Sequence, residues 1–182
     1  MDKQALEQGL ALLKKAKLTP REGLPQELFL WLSALTPIPN VDLWIQNEAG
    51  EVLLSWRDDP YYGKGWHIPG GCIRFGETMA ERIEKTALSE LGCKVEFDPQ
   101  PMAVRDIIRP PVEGLQNPDM RGHHVAMLYR CTLPRDYPVT NDTRQEGKNG
   151  YLRWFSAIPP DFLSIHEPYR DVIAQAMAKK RG

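Results

Sequence analysis

The stretch 69–93, PGGCIRFGETMAERIEKTALSELGC, constrains this chain more than any other. A glycine pair, Gly70-Gly71, leads through five residues to Glu77, and Met79, Ile83, Ala87 and Leu91 then recur at steps of four, with Leu88 alongside. That spacing predicts an amphipathic helix over 77–91. Gly92 suits its stop, because glycine adopts the left-handed conformation that ends many helices. Glu81, Arg82, Glu84 and Lys85 read as its solvated face. Glu77 stands at the positive end of the helix, where a carboxylate is favoured, and a structural role there ranks ahead of metal binding.

Around this block the pattern alternates between helix-like and strand-like runs. Residues 4–16 place Leu6, Leu10 and Leu13 on one stripe, and Lys14, Lys15 and Lys17 follow near the end. A second helix follows Pro25, with Leu28, Leu32 and Leu35 on one side and Trp31 beside them, and Thr36-Pro37 stops it. Residues 41–46 and 51–57 are β-rich and separated by Asn47-Glu48-Ala49-Gly50, which predicts a hairpin. The glycine-rich 63–71 reads as a loop. Strands are expected over 102–108, 124–132 and 151–155, a long loop over 109–121, and a closing helix over 161–179. Strands and helices segregated in this way give the α+β class, a mixed sheet with helices on its faces.

Composition narrows the function. The 182 residues suit about one domain. Lys plus Arg number 23 against 24 Asp plus Glu, so the chain lacks the positive field that binds nucleic acid or acidic membrane unspecifically. No apolar run approaches the ~20 residues of a membrane span, and the charged N-terminal stretch lacks a leader's cleavage site. Cys72, Cys93 and Cys131 have no pairing or zinc-like spacing, which suits a reducing cytoplasm. The expectation is a cytoplasmic protein with a small-molecule partner, and with neither nucleic acid nor membrane as partner. The 16 prolines cluster between the apolar runs and mark connections.

From Gly71 through Glu77 to Gly92, the block resembles the Nudix box: Gly, five residues, Glu, seven residues, Arg-Glu, an aliphatic, any residue, Glu-Glu, any residue, Gly and an aliphatic. Lys85, Thr86 and Ser89 stand where that pattern has Arg, Glu and Glu, so Glu90 alone remains of the carboxylate triplet. The reduced pattern is similar to the GDP-mannose mannosyl hydrolase branch, whose box ends Ala-Glu-Leu-Gly, much like Ser89-Glu90-Leu91-Gly92. Leu24, Gln26, Glu27, Phe29, Thr36 and Pro37 match the branch upstream, and Arg153-Trp154 and Ile165-His166 match it downstream. Asp42 and Arg57, fifteen residues apart, fall on its substrate-binding Asp and Arg.

The resemblance implies a Nudix-type α/β/α sandwich around a mixed β-sheet. Residues 1–23 are then an N-terminal helical extension and 24–182 the Nudix hydrolase domain. It implies Mg²⁺, with Mn²⁺ as the substitute, held by Gly70, Glu90 and Gln145, the remaining ligands coming from a nucleoside diphosphate sugar and water. Arg57 would act on the diphosphate, and Asp42 and His124 would bind substrate. Glu146 occupies the position of the branch's histidine base. Water would attack the anomeric carbon with inversion, releasing sugar and nucleoside diphosphate. A homodimer joined through 24–37 is implied too. Cys72 replaces an arginine of the branch and His124 a tyrosine, which leaves sugar and base open. Two alternatives stand beside this reading: a Nudix pyrophosphohydrolase attacking phosphorus of another nucleoside diphosphate derivative, and a nucleotide-binding module without catalysis. His67 and His166 read as structural residues.

Overall fold

A computed structural model describes residues 2–19, 21–109 and 120–178. Helices α1 (Lys3–Lys15) and α2 (Gln26–Ser33) open the chain, followed by β1 (Ile38–Ile45), β2 (Val52–Asp59), β3 (Gly63–His67) and β4 (Gly70–Cys72). Helix α3 (Met79–Glu90) precedes β5 (Glu96–Phe97), β6 (Ala103–Ile108), β7 (His123–Thr132) and β8 (Leu152–Phe155). A 3₁₀ helix over Ser164–Tyr169 runs into α4 (Arg170–Ala178). The long loop expected at 109–121 lies mostly outside the described residues.

A five-stranded sheet runs β4-β1-β7-β5, with β6 also on β7, and β3-β2-β8 form a second sheet. The first sheet is mixed: β1 and β7 are parallel, and the other pairs are antiparallel. Side chains on a strand alternate between faces, and both faces of β1 are covered. Val41, Leu43 and Ile45 pack with Ile83, Ala87 and Leu91 at α3, joined by Tyr129 and Cys131 of β7. Trp44 packs the other way, with Leu128 of β7 and with Tyr169, Ile173 and Ala176 of the C-terminal helices. The expected α+β sandwich around a mixed sheet is thus present.

The hairpin expected at 41–57 is corrected. The turn forms, with Asn47 N–H donating to the Glu51 carbonyl at 3.0 Å and a bridge at Gln46 and Val52. Beyond it β1 and β2 part into separate sheets. Leu53 joins the α3 side of the core while Val52 and Leu54 join the other, so β2 is also buried on both faces.

The glycine-rich loop is likewise two short strands, β3 and β4. Low propensity hides them, yet close approach explains the residues. A Cβ on Gly65 would lie 2.2 Å from the Asp161 carbonyl oxygen, and one on Gly71 would lie 2.5 Å from Thr86 Oγ1. Helix α3 is set by a capping box: Thr78 Oγ1 accepts from Glu81 N–H at 3.1 Å, and the Glu81 carboxylate accepts from Thr78 N–H at 2.7 Å. Of its predicted apolar stripe, Ile83 and Ala87 are buried and Leu91 beyond it follows, while Met79 and Leu88 are exposed. The closing helix starts later than expected because Pro168 lies in the 3₁₀ segment. No residue of α1 is buried, so its leucine stripe faces outward in this chain. No helix among the described residues is long and apolar enough to cross a membrane.

Candidate active site

Strands from both sheets and the 3₁₀ helix converge on one cavity of about 310 Å³. Strand β1 contributes Asp42, the end of β2 contributes Arg57 and Asp59, β4 contributes Gly70 and Gly71, and the start of β7 contributes His124. Glu90, at the end of α3, is joined to this wall by Arg57. The Arg57 Nη2 donates to Glu90 Oε1, and its Nε donates to His67 Nε2. Each end of the helix therefore has a separate task.

At the first end, Glu77 closes the loop that precedes α3. Its Oε2 accepts from Arg74 N–H at 2.8 Å and from Arg82 Nε and Nη2 at 2.9 and 2.5 Å. Its Oε1 takes Lys85 Nζ at 2.9 Å. Burial pushes this carboxyl up, but these donors outweigh it and hold Glu77 at about 2. The expected structural role of Glu77 is what the geometry shows.

At the other end, burial pushes Glu90 up against the opposing pull of Arg57. Its Oε2 is buried without a hydrogen-bond partner, although His67 Nε2 lies 3.8 Å away. Gly70's backbone borders the same carboxylate. Asp42 pairs with Gly70 across the β1–β4 ladder. Its Oδ2 accepts from Tyr169 Oη at 2.9 Å and its Oδ1 from Asn40 Nδ2 at 2.8 Å. Burial outweighs both and lifts Asp42 to about 7, with the Glu90 charge adding to the rise. A Cβ on Gly70 would lie 2.3 Å from Asp42 Oδ1, which is why a glycine stands there.

His67, His124 and His166 are held neutral by their surroundings. Burial first, then Arg57, keeps His67 well below its ordinary range. Burial takes His166 to about 3, and its Nε2 accepts from Ile68 N–H at 3.2 Å, a partner distant in the chain. His124 falls to about 4 through burial and the nearby arginines, Arg121 foremost.

Asp42, Arg57, Gly70 and His124 are thus brought to one cavity, with Glu90 bonded to its wall. Gln145 and Glu146 are placed elsewhere, exposed on the 141–150 loop, where Glu146 pairs with Arg153 at 3.7 Å. The loop residue whose charge reaches Glu90 is Arg144. Sequence reasoning passed over Asp59, Tyr62 and Arg121, which also line the cavity. The Tyr61-Tyr62 pair beside Asp59 was a visible signal for the first two; Arg121 carried none. Among the described residues, no group of three or more His, Cys, Asp or Glu side chains forms a metal cage.

The fold is that of the Nudix hydrolases. A UDP-X diphosphatase superposes with a TM-score of 0.54 at 18% identity, covering 98% of this chain and 82% of that one. A MutT NUDIX hydrolase from Burkholderia pseudomallei gives 0.54 at 21% identity over 77% of this chain and 98% of its own. A NUDIX hydrolase from Nitrosomonas europaea gives 0.51 at 24% identity, covering 77% of this chain and 72% of that one. Among curated proteins, the chain is 28% identical over 151 residues to the low-salt glycan biosynthesis protein Agl8 of Haloferax volcanii, covering 82% of this chain and 88% of Agl8. No protein-family model matches the chain.

Proposed function

We propose that the chain is a Mg²⁺-dependent Nudix hydrolase of nucleoside diphosphate sugars, similar to the GDP-mannose mannosyl hydrolases. One observation carries the reading: Glu90 is buried beside Gly70 with one oxygen unpartnered, on the wall of a cavity that also holds Arg57 and Asp42. A lone carboxylate oxygen does not make a closed cage, but it fits Mg²⁺, which keeps several waters and takes phosphate oxygens as ligands. Glu90 and the Gly70 carbonyl would hold the ion, with Gln145 as the third protein ligand once the 141–150 loop reaches it. When bound, the ion neutralises charge on the diphosphate and improves it as a leaving group.

The chain's own groups do the rest. Arg57 presents a planar pair of donors to a diphosphate, and His67 and Glu90 fix its orientation. Asp42 and His124 contact the substrate from the β1 and β7 sides. Glu146 is the proposed general base, carried by its loop to the water. Two similar proteins support the substrate class, a UDP-X diphosphatase and a glycan biosynthesis protein.

Attack at phosphorus remains the second reading, favoured by the exposed position of Glu146. The test is turnover of a panel of nucleoside diphosphate sugars with Mg²⁺ and with EDTA. Free sugar as product supports attack at carbon, and sugar phosphate supports attack at phosphorus. Glu90→Gln should abolish the metal-dependent rate. Full activity in that variant, or no turnover of any diphosphate by the wild type, overturns the proposal.

A further inference from the structure

The cavity holds a second arginine that the proposed chemistry does not use. Arg121 lines the wall with Tyr62 and His124, and it is fixed on every side. Its N–H donates to Ser33 Oγ at 2.9 Å, tying it to the end of α2, and its carbonyl accepts from Tyr62 Oη at 2.8 Å. The guanidinium carbon sits 5.3 and 5.1 Å from the ring centroids of Tyr61 and Tyr62. Its Nη1 donates to Asp59 Oδ2 at 3.3 Å. Asp59 is itself pinned, since its Oδ1 accepts from Tyr61 N–H at 2.7 Å and Tyr62 N–H at 3.2 Å.

This bracing exceeds what an ordinary ion pair needs. Arg121 holds a φ of +53°, a left-handed conformation uncommon for a non-glycine residue, which persists only where the surroundings enforce it. The guanidinium still has unused donors. Asp59 engages it through Nη1, its Nε is closed off and unpartnered, and among the described residues no hydrogen bond takes up its Nη2, which is left to face a ligand. Unsatisfied donors on a rigid arginine beside a cavity call for an acceptor. Neutral His124 offers no competing charge on this wall.

We infer that Arg121, braced by Asp59, Tyr61 and Tyr62, forms a second anion subsite that binds a carboxylate or phosphate on the part of the substrate beyond the diphosphate. This rests on the proposed function and names its substrate class: nucleoside diphosphate derivatives whose far group is itself anionic, such as a uronic acid. Arg57 serves the diphosphate, and Arg121 selects what is attached to it.

The experiment is calorimetric binding to the full chain in EDTA, where metal-dependent turnover is absent, with UDP-glucuronate against UDP-glucose and UTP against UDP. In the wild type, at least one anionic ligand should bind about ten-fold tighter than its counterpart, the scale of a hydrogen bond to a charged group. A gain confined to UDP-glucuronate assigns a sugar carboxylate, and one confined to UTP a further phosphate. Arg121→Gln should erase the gain, and Arg121→Lys, which keeps charge without the planar fork, should retain part of it. Equal affinities within both wild-type pairs, binding of none of the four, or a gain that survives Arg121→Gln overturns the subsite. Mg²⁺-dependent turnover of UDP-glucose without any anionic preference leaves the proposed function standing and removes the subsite alone. An Arg121-dependent preference in EDTA without turnover of any diphosphate does the reverse.

Discussion

Replacing Glu77 with Gln keeps the side chain's size and removes the charge that four donors from Arg74, Arg82 and Lys85 converge on. The folded carboxyl sits at about 2 against an ordinary 4.5. Because the folded value is depressed, the ionised carboxylate stabilises the protein above pH 4.5, and that contribution is lost as pH falls toward 2. The 2.5-unit difference corresponds to about 3 kcal/mol at pH 7, which screening through half-exposed Lys85 trims to about 2 kcal/mol. By the same relation roughly six-tenths of the contribution remains at pH 3.5, and about one-tenth at pH 2. Urea unfolding of wild type and Glu77→Gln from pH 7 to pH 2 measures this as a difference that shrinks with acidity. A difference that stays constant across the range, or is absent at pH 7, would refute the clip. Mg²⁺ affinity should be equal in the two proteins, and a large loss in the variant would return Glu77 to the metal.

Asp42→Asn should stabilise the fold progressively as pH rises from 4 to 8, by at most about 4 kcal/mol, while lowering turnover. The sign follows from a raised folded value: protonated Asp42 is at ease in the core, and its ionisation costs stability. Denaturation at pH 5 and pH 8 checks it. Gly70→Ala, whose methyl would meet Asp42 Oδ1 and the Val41 carbonyl, should cost about 1–3 kcal/mol and at least a ten-fold loss of rate, read by melting and kinetics. Glu146→Gln should cut turnover by about 10²–10⁴ with substrate affinity retained. Wild-type rates would pass the proton to His124 or Asp42.

Much of this was legible in the sequence because the signals were local. Helix α3 announced itself through a four-residue period, and Glu77, Gly71 and Glu90 fell in register with one another. Asp42 and Arg57 were paired through the family resemblance, and both line one cavity. What escaped depended on partners distant in the chain. β1 and β2 look like neighbours across a turn, yet each pairs with a strand far along the chain, β1 with β7 and β2 with β8. Strands β3 and β4 were hidden by glycines whose purpose is contact with Asp161, Asp42 and Thr86. Arg121 gave no sign, since its meaning comes from Asp59, Tyr61 and Ser33, residues 60 to 88 positions away.

The parting of β1 and β2 divides the site between two frames. Asp42, Gly70 and Glu90 belong to the five-stranded sheet and its helix, whereas Arg57 and Asp59 ride on the three-stranded sheet. Two ion pairs lash the frames together across the mouth: Arg57 to Glu90, and Asp59 to Arg121. Behind these pairs both apolar clusters span the two frames, Leu53 and Leu152 packing with Val41 and Leu43 in one, and Val52, Leu54 and Trp66 with Trp44 in the other. Drift at Asp59 and Arg121 can recharge the cavity without disturbing either apolar cluster. Selectivity in this chain can accordingly evolve at a different pace from stability.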